Sequence, residues 1–353
     1  MTGAAWRGVI REFRGHLPEI PDPAIVTLLE GNTPLVPIPG VGRRIAPGVD
    51  LYLKVEGLNP TGSFKDRGMT VAVSRALAAG ARAVICASTG NTSASAAAYA
   101  ARAGIRCVVV IPEGQIALGK LAQAMVHGAR VLAIRGNFDR ALELVRELAE
   151  EGSVVVVNSI NPDRIEGQKT AAFEVIRALG RVPDAHALPV GNAGNITATW
   201  RGYVEHAARA GGSAPRMLGF EAEGAAPIVL GRRVPDPRTL ATAIKIGNPA
   251  SWKGATDARD RSGGRIDTVT DDEIVEAYRM LADVEGVFVE PASAAGVAGV
   301  RKLAARGDLQ GLHTIVCTVT GHGLKDPERA VAVSRAVEPV EDRVDALRRA
   351  ILG

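Results

Sequence analysis

An α/β protein built on largely parallel sheet is what the order of apolar segments predicts. Three observations lead there. Short β-branched runs alternate with longer alanine-rich, helix-periodic segments along most of the 353 residues. The runs are too continuously apolar for half-exposed strands, so they read as strands covered on both faces. Five of them end in glycines, hydroxyls and amides instead of charged turns, at the strand ends where open α/β sheets bind ligands.

In chain order the strands are "LYLKV", "AVICA", "CVVVI", "RVLAI", "SVVVV", "HALPV", "MLGFEA", "VFVE" and "TIVCTV". Helix-periodic segments at 66–79, 91–103, 117–127, 138–150, 165–179, 195–210, 271–282 and 294–305 separate them. "VTDDEIV" carries a start signal, with Thr270 as N-cap and Glu273 three residues on. The Pro/Gly-rich stretch 231–264 is the longest irregular region, and a loop that long is usually functional or mobile. Neither a repeat nor a low-complexity tract is found. Residues 81–157 hold four strands and three helices and form a lobe of their own.

Composition narrows the function classes. With 46% hydrophobic residues the chain can bury a large core, and its length suggests two domains or lobes around a cleft. A net charge of +4, spread in alternating signs with 4% aromatics, argues against a nucleic-acid surface and permits an anionic small substrate. Cys86, Cys107 and Cys317 lie far apart in apolar runs and read as buried thiols, not as a disulfide or metal framework. Charges interrupt the first residues where a signal peptide needs an apolar stretch, and no run approaches a membrane span. A soluble cytoplasmic protein is the expectation.

The strand ends carry the chemistry. "AVICA" is followed by "STGNTSAS", "SVVVV" by "NSINPDR", "HALPV" by "GNAGN", "VFVE" by "PASAAG" and "TIVCTV" by "TGHG". Any one could be a capped helix start. Five together make a concave, hydrogen-bonding floor. "GNAGN", entering a helix, meets the needs of a phosphate cup: backbone N–H groups can approach an anion at the positive end of the helix. It is not G-x-G-x-x-G. "GLNPTGS" approaches a phosphate-binding Walker loop through Gly57 and Gly62, but that motif needs lysine at 63 and Ser/Thr at 64, where Ser63 and Phe64 stand. Lys65 comes two positions late. With phosphate held elsewhere, Lys65 is free for covalent work. Burial beside Phe64 and a helix start would both lower its pKa. An activated lysine, a phosphate cup and a hydroxyl-bearing strand end suggest pyridoxal phosphate.

Seven segments, "GSFKDRGM", "STGNTSASAAAYA", "GNAGNITATWRGY", "EAEGAAP", "IKIGNPASW", "EPASAAGVAG" and "TGHGLKDP", together resemble threonine synthase, from about residue 28 to 327. SFK-x-R-G is shared with threonine and serine dehydratases. Asp66 within it and "GHGLKDP" are more telling. The resemblance implies a fold-type II, tryptophan synthase β-like enzyme with two open, mostly parallel sheet domains and the cofactor in the cleft between them. Residues 1–59 and 160–353 would form the large domain, and 60–159 a small mobile one. Lys65 would hold pyridoxal phosphate covalently and move protons. Asn91 would meet the phenolic oxygen, and Gly191, Asn192, Ala193, Gly194 and Asn195 the phosphate. Thr320 would meet the ring nitrogen, where a hydroxyl makes a weaker electron sink than a carboxylate.

Ser88, Thr89 and Thr92 offer hydroxyls and helix N-terminal amides to a substrate carboxylate. Thr92, Ser159, Arg164 and Asn192 would clamp the phosphate of O-phospho-L-homoserine. Arg164 fits best through its paired donors, the alternative being a surface arginine capping its helix. His322 is expected to pack under the cofactor, and Glu221 is a candidate contact at its rim. A homodimer is implied by the family alone. The rivals are a threonine/serine dehydratase, a cysteine-synthase-like enzyme and a phosphate-ligand sensor on the same fold. "SFKDRG", "GHGLKDP" and the short stretch after residue 340, too short for a regulatory domain, weigh against the dehydratase. A sensor could lose Lys65; this chain keeps it.

Overall fold

Strands apolar on both faces need cover on both sides, and the helices between them supply it. The computed structural model describes residues 5–113, 118–135, 143–145, 147–148, 150, 152, 154–334 and 336–352. Ten strands form two sheets: β1 (Leu35–Pro37), β2 (Asp50–Val55), β3 (Ala83–Ala87), β4 (Arg106–Pro112), β5 (Arg130–Ile134), β6 (Val155–Val156), β7 (Ala185–Pro189), β8 (Arg216–Ala222), β9 (Arg265–Val269) and β10 (Thr314–Val319). The larger sheet runs β1-β2-β10-β7-β8-β9, and the smaller β5-β4-β3-β6. Every pairing is parallel except β1 with β2. β3, β7 and β10 are buried throughout, as their unbroken apolar runs require.

Each sheet reverses its strand order once. The chain goes outward from β7 to β8 and β9, then returns to lay β10 on the other side of β7. It goes outward from β3 to β4 and β5, then returns to lay β6 on the other side of β3. A crevice opens beyond the carboxyl ends of strands at such a reversal. The loops after β7 and β10 flank one crevice, and those after β3 and β6 the other. These are four of the five strand ends rich in small polar residues.

Two helices join the halves. Lys65–Ala78 shares a core with the smaller sheet through Met69, Ala72, Val73 and Ala76. It crosses Pro162–Leu179 backbone to backbone, since a Cβ on Gly167 would lie 1.9 Å from Arg67 O and one on Gly68 2.6 Å from Arg164 O.

Several expectations change. "VFVE" is not a strand; Val289 makes only an isolated bridge to His322, and Phe288 is partly exposed, so the segment is an extended connection. Of "SVVVV" only Val155–Val156 pair as strand. The stretch 231–264 is not irregular throughout: it contains the helix Trp252–Arg261, whose buried face is only Ala255 and Ala258 and so gives a faint apolar period. β1, β9 and the helix Pro39–Ile45 were not expected. Most of the expected helix 138–150 and position 117 lie outside the described residues. The capping box at Thr270 and Glu273 forms as expected. No helix among the described residues is long and apolar enough to cross a membrane.

Candidate active site

Lys65 is the first residue of its helix, and the loop before it is sewn to the end of β10. Ser63 and Gly321 form an antiparallel bridge, Phe64 N donates to Thr320 O at 3.0 Å, and His322 N donates to Gly62 O at 2.9 Å. Backbone alone therefore fixes Lys65 relative to Thr320. Asp66 tightens the same loop by accepting from Thr61 N (2.7 Å), Thr61 Oγ1 (2.6 Å) and Ser95 Oγ (2.6 Å). Burial lowers the Lys65 pKa to about 7; the Arg164 charge adds to this and Glu290 opposes it. Its Nζ lies 3.9 Å from the Phe64 ring centroid.

Asn91, at the start of the helix Asn91–Ala103, donates through Nδ2 to Glu290 Oε2 at 3.0 Å. Thr320 Oγ1 donates to Glu290 Oε1 at 3.0 Å. One buried carboxylate thus links the residues expected at the phenolic oxygen and at the ring nitrogen, within electrostatic reach of Lys65. Sequence reasoning passed over Glu290 because it took the glutamate as the last residue of a strand. Its place directly before "PASAAG" was the available signal. Ser293, also missed, accepts from Thr320 N (2.8 Å) and Gly321 N (3.0 Å).

The loop after β7 has the form of an anion cup. Ala193 adopts a left-handed φ of 62°, uncommon for a residue with a Cβ and costing about 1–2 kcal/mol. The first intrahelical bond runs from Thr197 N to Ala193 O, so earlier N–H groups point out of the helix end. A Cβ on Gly191 would lie 2.9 Å from Ile244 Cα. Asn195 Nδ2 is buried without a partner among the described residues. Asn192 is partly engaged, its Oδ1 accepting from Ala250 N at 3.2 Å and its backbone O from Ser251 N at 3.1 Å. An unsatisfied buried donor in front of a helix N-terminus fits a phosphate.

The second crevice collects the remaining candidates. Asn158, another residue missed, exchanges hydrogen bonds with Ala87 at 2.9 and 2.8 Å, which draws the Ser88 and Ser159 loops side by side. Ser88, Thr89 and Ser159 are half-buried, and Thr92 is buried. Arg164 is no surface cap. It is 1% exposed, Nη1 donates to Val157 O at 2.8 Å, and Nε has no partner among the described residues. Burial pushes its pKa down to about 10. Nε lies at the helix crossing, where a Cβ on Gly68 would come 2.7 Å from it, so what suits an anion is the buried guanidinium charge and not this donor.

Glu221 and His322 have structural partners. Glu221 accepts from Ile228 N (3.3 Å) and Val229 N (2.9 Å) and closes the turn there. His322 packs edge-on to Phe288 and accepts from Leu324 N at 3.2 Å. All three cysteines are buried free thiols.

Comparison with known proteins shows the family. The family described as "Pyridoxal-phosphate dependent enzyme" matches residues 26–321. A threonine synthase of Mycobacterium leprae is 58% identical over 348 residues, covering 98% of this chain and 96% of its own. That of Halalkalibacterium halodurans is 56% identical over 341 residues, 96% of each chain. Maize serine racemase superposes with a TM-score of 0.75 over 92% of this chain and 96% of its own, at 22% identity, which speaks for the fold alone. With relatives this similar over nearly the whole length, the chain belongs to the threonine synthase family of pyridoxal-phosphate-dependent enzymes.

Proposed function

We propose that the chain converts O-phospho-L-homoserine and water to L-threonine and phosphate, with Lys65, Asn91, Thr320 and the 191–195 loop holding the cofactor. The observation that carries this is the pairing of a lysine amine lowered to about 7 with the buried Arg164 charge within its electrostatic reach. Bound pyridoxal phosphate supplies an electron sink for carbanion chemistry. Ser88, Thr89 and Thr92 orient the substrate carboxylate; Thr92, Ser159, Arg164 and Asn192 hold its phosphate. Lys65 Nζ, near its pKa at neutral pH, takes the α-proton and returns a proton. Loss of a β-proton expels phosphate from Cγ, a proton then returns to Cγ to complete the methyl group, and water adds its OH at Cβ as Cα regains a proton. The released phosphate, kept by Arg164, helps to activate that water. A substrate with another leaving group should then yield threonine only when phosphate is added.

The 60–159 segment closes over the substrate and excludes stray water. Support comes from Gln123, on the helix Leu118–Val126, whose side-chain oxygen accepts from Lys325 outside that segment. The enzyme works in the cytoplasm as a homodimer, which light scattering would test. The deciding experiment is product analysis with O-phospho-L-homoserine. Equal L-threonine and phosphate support the reading. 2-Oxobutyrate and ammonia would move the chain to the dehydratases.

A further inference from the structure

Glu290 is a cofactor-site residue without an assigned task. It is 4% exposed and pressed against Gly321, where an added Cβ would lie 2.5 Å from its carboxyl. The groups that face it are the donors of Asn91 and Thr320 and the ammonium groups of Lys65 and Lys325.

Counting hydrogens around Thr320 gives the network a direction. Ser293 Oγ accepts from Thr320 N and Gly321 N, which fills both of its lone pairs. It therefore cannot accept from Thr320 Oγ1, although the two oxygens are 3.0 Å apart. Its own hydrogen goes to Thr320 Oγ1, or to Gly321 O at the longer distance of 3.4 Å. In either case the single hydrogen of the Thr320 hydroxyl is committed to Glu290. What the hydroxyl has left is lone-pair density, so toward a further partner it can only accept.

We infer that Glu290, acting through the Thr320 hydroxyl, turns the site into a hydrogen-bond acceptor for the ring nitrogen of pyridoxal phosphate and so favours the protonated ring. The inference rests on reading Thr320 as the ring-nitrogen partner. A free hydroxyl donates or accepts with equal ease and selects neither state. A hydroxyl tied to a carboxylate relays negative charge, and the electron sink is stronger than a lone threonine suggests. Burial raises the Glu290 pKa; the hydrogen bonds that Asn91 and Thr320 donate to the ionised carboxylate oppose this first, and the facing lysine charges after them. Were Glu290 protonated, its hydrogen would go to Thr320, turning the hydroxyl into a donor for an unprotonated ring. Glu290 is thus a positioning residue acting through Thr320.

The test is the 15N chemical shift of ring-labelled pyridoxal phosphate in the holoenzyme, read without turnover. In the wild type the resonance is expected in the pyridinium range. Glu290→Gln should move it toward neutral pyridine, because Asn91 Nδ2 takes the carboxamide oxygen and leaves its NH2 to donate to Thr320. Thr320→Val should move it the same way. A shift in Thr320→Val but none in Glu290→Gln would overturn the role of Glu290 and keep Thr320 as partner. No shift in either would remove Thr320 as the partner, and the inference with it. If Glu290→Gln fails to retain the cofactor, the wild-type resonance still decides: a neutral-pyridine value overturns the inference.

Discussion

Replacing Arg67 with methionine tests how the Lys65 helix is anchored. Arg67 is 1% exposed and grips two buried carboxylates at once. Nε and Nη2 donate to Glu56 at 2.7 and 2.8 Å, and Nη1 and Nη2 donate to Glu174 at 2.7 Å each. Lys54 Nζ completes the cluster on Glu174 at 2.7 Å. Arg67→Met leaves Glu56 with only the neutral donors Thr33 and Asn59, while Glu174 keeps Lys54. Removing one partner of a buried ion pair costs about 3–5 kcal/mol. Glu174 gives a second figure. Burial alone would raise its pKa, yet Arg67 and Lys54 together hold it down to about 2 from 4.5, a shift of roughly 3 kcal/mol.

The first route gives about 3–5 kcal/mol; the second gives roughly 3 kcal/mol for Glu174, a figure that Arg67 shares with Lys54. A loss of that size is a large share of the roughly 5–15 kcal/mol typical of a folded protein. The assay is the urea midpoint followed by circular dichroism, alongside cofactor absorbance, because Lys65 lies two residues away. The pH dependence has a definite sign: with its folded pKa below the unfolded one, Glu174 stabilises fully above pH 4.5. That contribution is lost as pH falls from 4.5 toward about 2, and Arg67→Met should flatten the loss. A change below about 1 kcal/mol, or wild-type stability in Arg67→Lys where the fork is gone, would refute the reasoning.

Three more outcomes are expected. Gly167→Ala forces a methyl into Arg67 O and should lower the melting temperature and the affinity for cofactor together, read by calorimetry and by absorbance titration. Arg164→Leu should cut kcat/KM for the phosphate ester about 10- to 100-fold, the worth of about 1.5–3 kcal/mol for a hydrogen bond to a charged group, with the cofactor spectrum unchanged. Gln123→Leu and Lys325→Met should each lower kcat/KM and fall short of additivity in a double-mutant cycle, since Gln123 serves Lys325 and Thr61 O with one side chain.

Residues with local chemistry were legible in the sequence; those defined by distant contact were not. The core strands announced themselves because burial on both faces demands unbroken apolar runs, as in "TIVCTV". Lys65 and the 191–195 loop were legible because glycine, hydroxyl and helix-start patterns are contiguous. β1 escaped because three residues ending in Pro37 carry too little pattern, and it forms by pairing with β2. Glu290 and Asn158 owe their places to Asn91, Thr320 and Ala87, residues 30 to 199 positions away. No local period encodes such a pairing. Arg164 was legible as an anion-binding type, but its burial depends on Gly68 and Gly167 letting two helices touch.

The strand order also dictates when the catalytic centre can come into being on the ribosome. Strands β3 to β6 are contiguous in the chain and can pair with one another as soon as they emerge. β2 has β10 as its only parallel neighbour, reached by the chain some 260 residues later. A nascent chain that has not reached Thr314 already carries Lys65 and the 191–195 loop, yet has neither Thr320 nor the strand onto which the lysine loop is sewn. Vectorial synthesis thus withholds a finished cofactor pocket until the C-terminal strand is made, and keeps the reactive amine from being set in place early.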